Sequence, residues 1–392
     1  MSARPPRIGI DFSGLDHLNL GNGQYRYAVT LIDALAKVPE VPAEFLVVGS
    51  RPDPVPELKP LFTQQSDRWH YHSLPSWSFK GAMYLDHLRY SSLAYTHRLD
   101  LWHSLHTFIP ALLPCPIVVT AYDLMYELFE EYKPAIRSRP YQMYKWLIQH
   151  RVNHLLPISQ TTANDLHLLW NIPRGKISVV PLGVDFTQAK SEQTGTSTVI
   201  TPTTGLTILS PFNLEPRKNL SALLQALPRI LNHYPNLKLI LFGRAAWTAE
   251  REAGFHRLCQ ELSLSLNIIL TGFISDAELA ALYRQTTLFV FPTLYEGFGL
   301  PLLEAMAAGA CVVARKHSSM AEIVADAGAL VEPCDPDHLS AAILTLLDNP
   351  AQRQRLQHLG SERAREFTPE KMARQTWQVY QRVLDTSGSG QK

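Results

Sequence analysis

The stretch TLFVFPTLYEGFGLPLLEAM, residues 287–306, decides how the rest of the chain is read. Its first five residues, 287–291, form a short apolar run of the kind that makes a buried strand. A loop holding Gly297 and Gly299 follows, and glycines there let a ligand approach the backbone closely. Pro301 then marks a helix start, where a missing N–H costs nothing. Strand, glycine loop, helix is the repeating unit of a parallel α/β sheet. The same order opens the chain. Residues 7–12 (RIGIDF) read as a strand and Gly21, Asn22 and Gly23 as a loop. Tyr25, Val29, Leu31, Ile32 and Leu35 then recur at helical spacing. Further apolar runs at 45–48, 117–120, 155–158, 206–210, 238–242 and 267–270 alternate with helical patterns.

A chain of 392 residues holds about two domains. Residues 187–204, rich in Thr, Ser and Gln, break the alternation and read as a linker. The expected division is a Rossmann-like domain over 1–186, the linker over 187–204, a second Rossmann-like domain over 205–368, and a final helix with a flexible tail over 369–392. From Pro336 to Asp385 the pattern is helical only. Two such domains should face each other across a central cleft, because ligands of open parallel sheets sit at the carboxyl ends of strands.

Composition excludes several classes. With 46% hydrophobic and 18% charged residues the chain is globular rather than disordered. A net charge of +1 argues against a nucleic-acid-binding protein. Cys115, Cys259, Cys311 and Cys334 are spaced neither for a zinc site nor for a disulfide framework. The N-terminus lacks a signal-peptide core, and no apolar run reaches the roughly 18 residues of a membrane span. The expected location is the cytoplasm, with a peripheral position at the inner membrane face as the variant. That variant rests on the basic, aromatic stretch Tyr132–His154, which otherwise packs within the first domain.

Two segments carry chemistry. Glu296 lies in the loop after strand 287–291 and Glu304 about one turn inside the next helix. Two carboxylates on one loop–helix corner suit gripping hydroxyls along an extended ligand better than straddling one bond as a hydrolase pair does. The plainer reading is a helix entry with an acidic first turn. The other segment is Asn213-Leu214-Glu215-Pro216-Arg217-Lys218-Asn219. It places Arg217 and Lys218 at a helix start, with Asn219 as a suitable N-cap. Cations there oppose the helix dipole, and an anion such as a diphosphate would relieve the conflict. Asp335-Pro336-Asp337 resembles a metal-binding triplet but reads as a helix cap, so no metal is expected.

With these motifs the chain resembles a family 4 retaining glycosyltransferase of GT-B fold over roughly residues 7–385. The Glu296–Glu304 pair, the Glu215–Asn219 run and the Gly21–Gly23 loop carry the resemblance. So do Gly272-Phe273-Ile274-Ser275-Asp276, Pro181-Leu182-Gly183-Val184-Asp185, Asp123-Leu124 and Ser318-Ser319-Met320-Ala321-Glu322. The subgroup is similar to bacterial mannosyl- and rhamnosyltransferases of polysaccharide and lipopolysaccharide assembly. The resemblance implies C-terminal helices that cross back to the N-terminal domain.

It also implies roles. Glu296 contacts the donor sugar, and Lys218 with Arg217 holds the diphosphate; these three are the catalytic candidates. Glu304 binds the ribose, Gly297, Phe298, Gly299 and Leu300 offer backbone groups, and Gly23, Asn219 and Tyr122 complete the donor contacts. The base packs near 271–274. No cofactor is implied. The donor is a nucleotide-diphosphate sugar, GDP-mannose ahead of a UDP-sugar, and the acceptor a glycan or lipid-linked oligosaccharide. The alternatives are a nucleotide-sugar-binding protein without transferase activity, or a GT-B sugar-nucleotide epimerase.

The chain departs from the family pattern in three places. Asn213 and Phe212 stand where many members have an Arg, which leaves Arg217 as the second cation. Tyr122 stands where many have a His, and a Tyr carries no imidazolium charge. His103 or His106 could replace that His, or serve structure alone. Ala310-Cys311-Val312 follows Gly309 where a Pro is usual, a loss a strand start tolerates.

Overall fold

The computed structural model describes residues 4–18, 22–75, 82–106, 109–184, 205–243 and 248–388. The chain forms two units. One holds the chain up to Val184 together with the chain from Phe367 onward, and the other ends at Glu366. The segment 187–204 and the tail beyond Gly388 lie outside the described residues.

The first unit contains β1 (Arg7–Asp11), β2 (Glu44–Gly49), β3 (Trp69–Ser73), β4 (Leu101–Ser104), β5 (Ile117–Ala121) and β6 (His154–Pro157). They form one parallel sheet in the order β3-β2-β1-β4-β5-β6. The second unit contains β7 (Thr207–Pro211), β8 (Lys238–Phe242), β9 (Ile268–Gly272), β10 (Leu288–Phe291), β11 (Val312–Arg315) and β12 (Ala329–Val331). Its sheet, also parallel, runs β12-β11-β10-β7-β8-β9. The two orders are the same. In each sheet the first strand is central, the next two step outward on one side, and the fourth returns to the other side. The winding reverses between β1 and β4, and between β7 and β10, where such sheets bind ligands.

Helices pack on the sheets, and β5 and β10 are buried at every residue and read as near-continuous apolar runs. β4 departs furthest from that pattern. All four of its residues are buried, yet His103 and Ser104 are polar and satisfied by side-chain partners. The helix Gly23–Lys37 starts where Asn22 accepts hydrogen bonds from the Gln24 and Tyr25 N–H groups. It buries Tyr25, Tyr27, Ala28, Leu31, Ile32 and Leu35 on one stripe.

The helical tail resolves into Pro336–Asp348, Pro350–Ala364 and Pro369–Gly388, each opened by proline. The first two stay in the second unit. A Cβ on Gly360, in the second of these, would come within 3.3 Å of Met306 on the helix Leu300–Ala307, so those two helices approach closely. The last belongs to the first unit and packs on Gly23–Lys37. Its Tyr380 is fully buried, with the hydroxyl 2.6 Å from His103 Nδ1. The two segments of this unit meet where the Val184 N–H donates to Phe367 O at 3.0 Å. The chain thus rejoins the first unit at Phe367, two residues before the expected start of the final segment. Gly183 is required here, since a Cβ would lie 2.4 Å from Thr368 O.

The basic stretch Tyr132–His154 is not one helix. It divides into Lys133–Ile136 and Arg139–Arg151, the latter capped by Ser138, and His154 opens β6. Lys145 pairs with Glu127 at 2.7 Å, while Trp146 stays half exposed and stacks on His150. Among the described residues no helix is long and apolar enough to cross a membrane.

Candidate active site

Both chemical motifs of the second unit lie at its winding reversal. The Glu215–Asn219 run follows β7, and the Tyr295–Gly299 loop follows β10. These strands are neighbours, with Leu288 opposite Ile208. Parallel pairing therefore delivers both loops to the same edge of the sheet. The Leu294 N–H donates to Arg217 O at 2.7 Å and fastens one loop to the other.

Their side chains meet. Lys218 Nζ is ion-paired with Glu296 Oε1. Arg217 Nη1 lies 3.6 Å from Glu296 Oε2, and its Nε lies 2.8 Å from Glu215 Oε2. The Arg217, Lys218 and Glu296 side chains are only 13%, 18% and 17% exposed, so these charges interact through less water than a surface pair does. The Lys218 ammonium also sits 5.9 Å from the Phe291 ring centroid, within cation–π range. The anion that the two cations were expected to attract is thus supplied, within the chain, by Glu296.

The reading of Asn219 as a helix N-cap needs correction. Pro216–Lys218 forms a 3-10 turn, and Asn219 follows it with φ 55° and ψ 28°. Asn tolerates this left-handed conformation better than most residues. Its side chain makes no capping bond to the helix Leu220–His233. Instead the amide Nδ2 donates to Pro292 O at 3.2 Å and Cys334 O at 2.9 Å. Asn219 therefore ties the cationic turn to the chain after β10 and after β12.

Further side chains fix the Glu296 loop, and the sequence reading assigned them no role. The Glu296 N–H donates to Ser318 Oγ at 3.2 Å. Ser318 Oγ and Ser319 Oγ donate to Glu296 O at 2.7 and 2.8 Å. Ser318 itself has φ 59°. Arg315 donates to Leu294 O at 2.8 Å and pairs with Glu332. Spacing alone does not reveal these contacts, because they join segments about twenty residues apart.

Gly297 and Phe298 are buried, and Gly299 adopts φ 111°, a conformation that favours glycine. Gly299 leads into the helix Leu300–Ala307, with Pro301 in its first turn. Leu300 and Glu304, on that helix, are partly buried. Asp335 is a helix N-cap that accepts from the His338 N–H, as its spacing suggested. Among the described residues no group of His, Cys, Asp or Glu is placed to hold a metal ion.

The remaining candidates belong to the first unit. Gly23 begins its helix next to the Asn22 cap, and a Cβ there would meet nothing within 4 Å. Gly21 lies outside the described residues. The Tyr122 hydroxyl donates to Leu105 O at 2.8 Å, its ring packs edge-on against Tyr27, and burial raises its pKa well above the ordinary value. Its hydroxyl proton is therefore committed to the backbone of the loop after β4. His103 is a structural residue. It is buried between Tyr380 and Thr120, and burial holds its pKa down to about 3. His106 Nε2 lies 3.0 Å from Asp11 Oδ1, at the first sheet's own winding reversal. Of the two histidines, His106 alone stands at that reversal beyond the strand ends.

Two like-wound parallel sheets, one carrying two cations and a carboxylate at its reversal, define a two-domain α/β protein. Two family models match the chain, Glycosyltransferase Family 4 over residues 21–188 and Glycosyl transferases group 1 over residues 199–363. It is 30% identical over 296 residues to O-antigen chain mannosyltransferase B of Escherichia coli, covering 71% of this chain and 74% of that one. The fold matches sucrose-phosphate synthase from Thermosynechococcus elongatus with a TM-score of 0.75 at 21% identity, covering 97% and 100% of the two chains. It also matches HepE from Anabaena, solved with UDP and glucose, with a TM-score of 0.71 at 18% identity, covering 96% and 99%. The chain belongs to the family 4 glycosyltransferases of GT-B fold.

Proposed function

We propose that the protein transfers a hexose, mannose first, from a nucleotide-diphosphate sugar to a glycan or lipid-linked acceptor, with retention of anomeric configuration, in the synthesis of a cell-surface polysaccharide. The observation that carries this is the convergence of Arg217, Lys218 and Glu296 at the winding reversal of the second sheet. The mannose assignment rests on the O-antigen mannosyltransferase relative and a GDP donor on the subgroup resemblance alone, while HepE with bound UDP keeps a uridine donor in the comparison.

Breaking the anomeric bond builds negative charge on the departing diphosphate. Lys218 and Arg217 are held in place before reaction by the bonded loops around them, so little reorganisation is needed as that charge grows. In this scheme Glu296 binds a hydroxyl of the donor sugar and Glu304 the ribose, while the backbone of Gly297, Phe298 and Gly299 lines the approach. The departing phosphate takes the proton of the acceptor hydroxyl, so no protein base is assigned. The first unit receives the acceptor. The half-exposed Trp146 and its basic neighbours suit a peripheral contact with the membrane that carries a lipid-linked acceptor.

A donor panel tests this reading. GDP-mannose, UDP-glucose, dTDP-rhamnose and ADP-glucose are compared by thermal unfolding. A ligand at a hundred times its Kd adds about 2.7 kcal/mol of stability. Stabilisation by one of them, and by its parent nucleotide, is the expected result, with transfer of that sugar at retained configuration. No stabilisation by any of the four would reject the donor site.

A further inference from the structure

We infer that the Glu296 carboxylate is an internal counter-ion with which a diphosphate competes for Lys218 and Arg217, so that diphosphate binding favours release of Glu296 for sugar recognition. The inference rests on the donor-site reading above and deepens it.

Lys218 Nζ and Arg217 Nη1 both address the two oxygens of one carboxylate, that of Glu296. Glu215 neutralises the other edge of the Arg217 guanidinium. Two cations and two carboxylates thus leave this cluster with no net charge. A diphosphate that needs the same two cations meets a neutral group rather than a positive one. Its oxygens compete with Glu296 for Lys218, because one N–H of the ammonium and much of its charge are already engaged by Oε1.

The backbone makes the exchange local. Ser318 and Ser319 hold the Glu296 N–H and C=O, and the Leu294 N–H is held by Arg217 O. Asn219 fixes the opposite turn through Pro292 O and Cys334 O. Neither loop can withdraw without breaking several hydrogen bonds. The freedom left is rotation of the Glu296 side chain. Turned away from the cations, it becomes a hydroxyl acceptor beside them. The order has a consequence for specificity. A free sugar finds Glu296 already paired, whereas a sugar attached to a diphosphate brings the anion that frees it.

Removing the counter-ion should therefore tighten the binding of a bare diphosphate. The test is calorimetric titration of inorganic pyrophosphate, GDP, UDP, GDP-mannose and UDP-glucose into the wild type, Glu296→Gln and Lys218→Gln. Glu296→Gln keeps the shape of the side chain and deletes its charge. It is expected to bind the cognate nucleoside diphosphate about three- to tenfold more tightly at low salt, with the gain shrinking as salt screens the cluster. The same variant should lose its preference for the sugar nucleotide over the bare diphosphate. Lys218→Gln should weaken both at least tenfold. Equal or weaker diphosphate binding by Glu296→Gln overturns the exchange while the Lys218 result leaves the donor site standing. Unchanged binding by Lys218→Gln overturns the donor site itself, and the exchange with it.

Discussion

The two sheets share one strand order, yet their winding reversals are chemically unlike. At the first, between β1 and β4, Asp11 is fully buried. It accepts from the Ser13 hydroxyl at 2.7 Å and lies 3.0 Å from His106. Tyr90 reaches the Ser13 hydroxyl at 2.6 Å, and Tyr122 closes on Leu105 O. At the second, between β7 and β10, two cations share a carboxylate with part of each side chain still open to solvent. The proposed diphosphate site is the second reversal, whereas the first presents Asp11, Ser13, Tyr90 and His106. Winding determines where a ligand sits, and the residues placed there decide which ligand it is.

Substitutions at four positions would break or sharpen that contrast. Lys218→Ala should have the largest effect. If loss of an oxyanion donor is the guide, it costs about 2.7–4 kcal/mol of transition-state stabilisation, so kcat falls about a hundredfold or more. Steady-state transfer assays read this directly, and near-normal turnover would remove Lys218 from the chemistry.

The next effect belongs to the first unit. His103 has its folded pKa lowered from 6.5 to about 3 by burial. Its contribution is therefore complete above about pH 6.5 and is lost as pH falls towards 3, because the unfolded chain takes up a proton that the folded chain refuses. At pH 5 the loss is about 2 kcal/mol. His103→Gln should flatten this acid limb, which unfolding midpoints at pH 7 and pH 5 would show. An unchanged slope would contradict the buried neutral state.

Asn219→Ala removes two donated hydrogen bonds and places alanine at φ 55°. The expected cost is about 1–3 kcal/mol of stability, together with weaker nucleotide binding as the cationic turn loosens. Asn219→Gly keeps the backbone conformation and separates strain from lost bonding. Gly23→Ala should have the smallest effect on folding, a few tenths of a kcal/mol and in the stabilising direction, because its Cβ enters open space.

Much of this was legible in the sequence. Parallel strands of a covered sheet announce themselves as apolar runs, so β1, β2, β5, β6 and the strands from β7 to β10 could be read directly. β4 could not, because LWHS buries a histidine and a serine whose partners come from distant segments. β3 is an edge strand with a mixed pattern. The charged residues of the second site were legible because their chemistry is local to two short loops. What holds those loops was not. Asn219 has the composition of a helix cap, but its positive φ turns the amide towards Pro292 and Cys334. Ser318, Ser319 and Arg315 act through backbone atoms of residues about twenty positions away. Such contacts depend on which strands are neighbours, a property of the assembled sheet.

The central claim is that the diphosphate binds at the second reversal and not at the first. Titration of GDP and UDP into the wild type, Lys218→Ala and His106→Gln tests it most directly. Binding of one nucleotide that is lost in Lys218→Ala and kept in His106→Gln is the predicted result. Binding kept in Lys218→Ala and lost in His106→Gln would contradict the account.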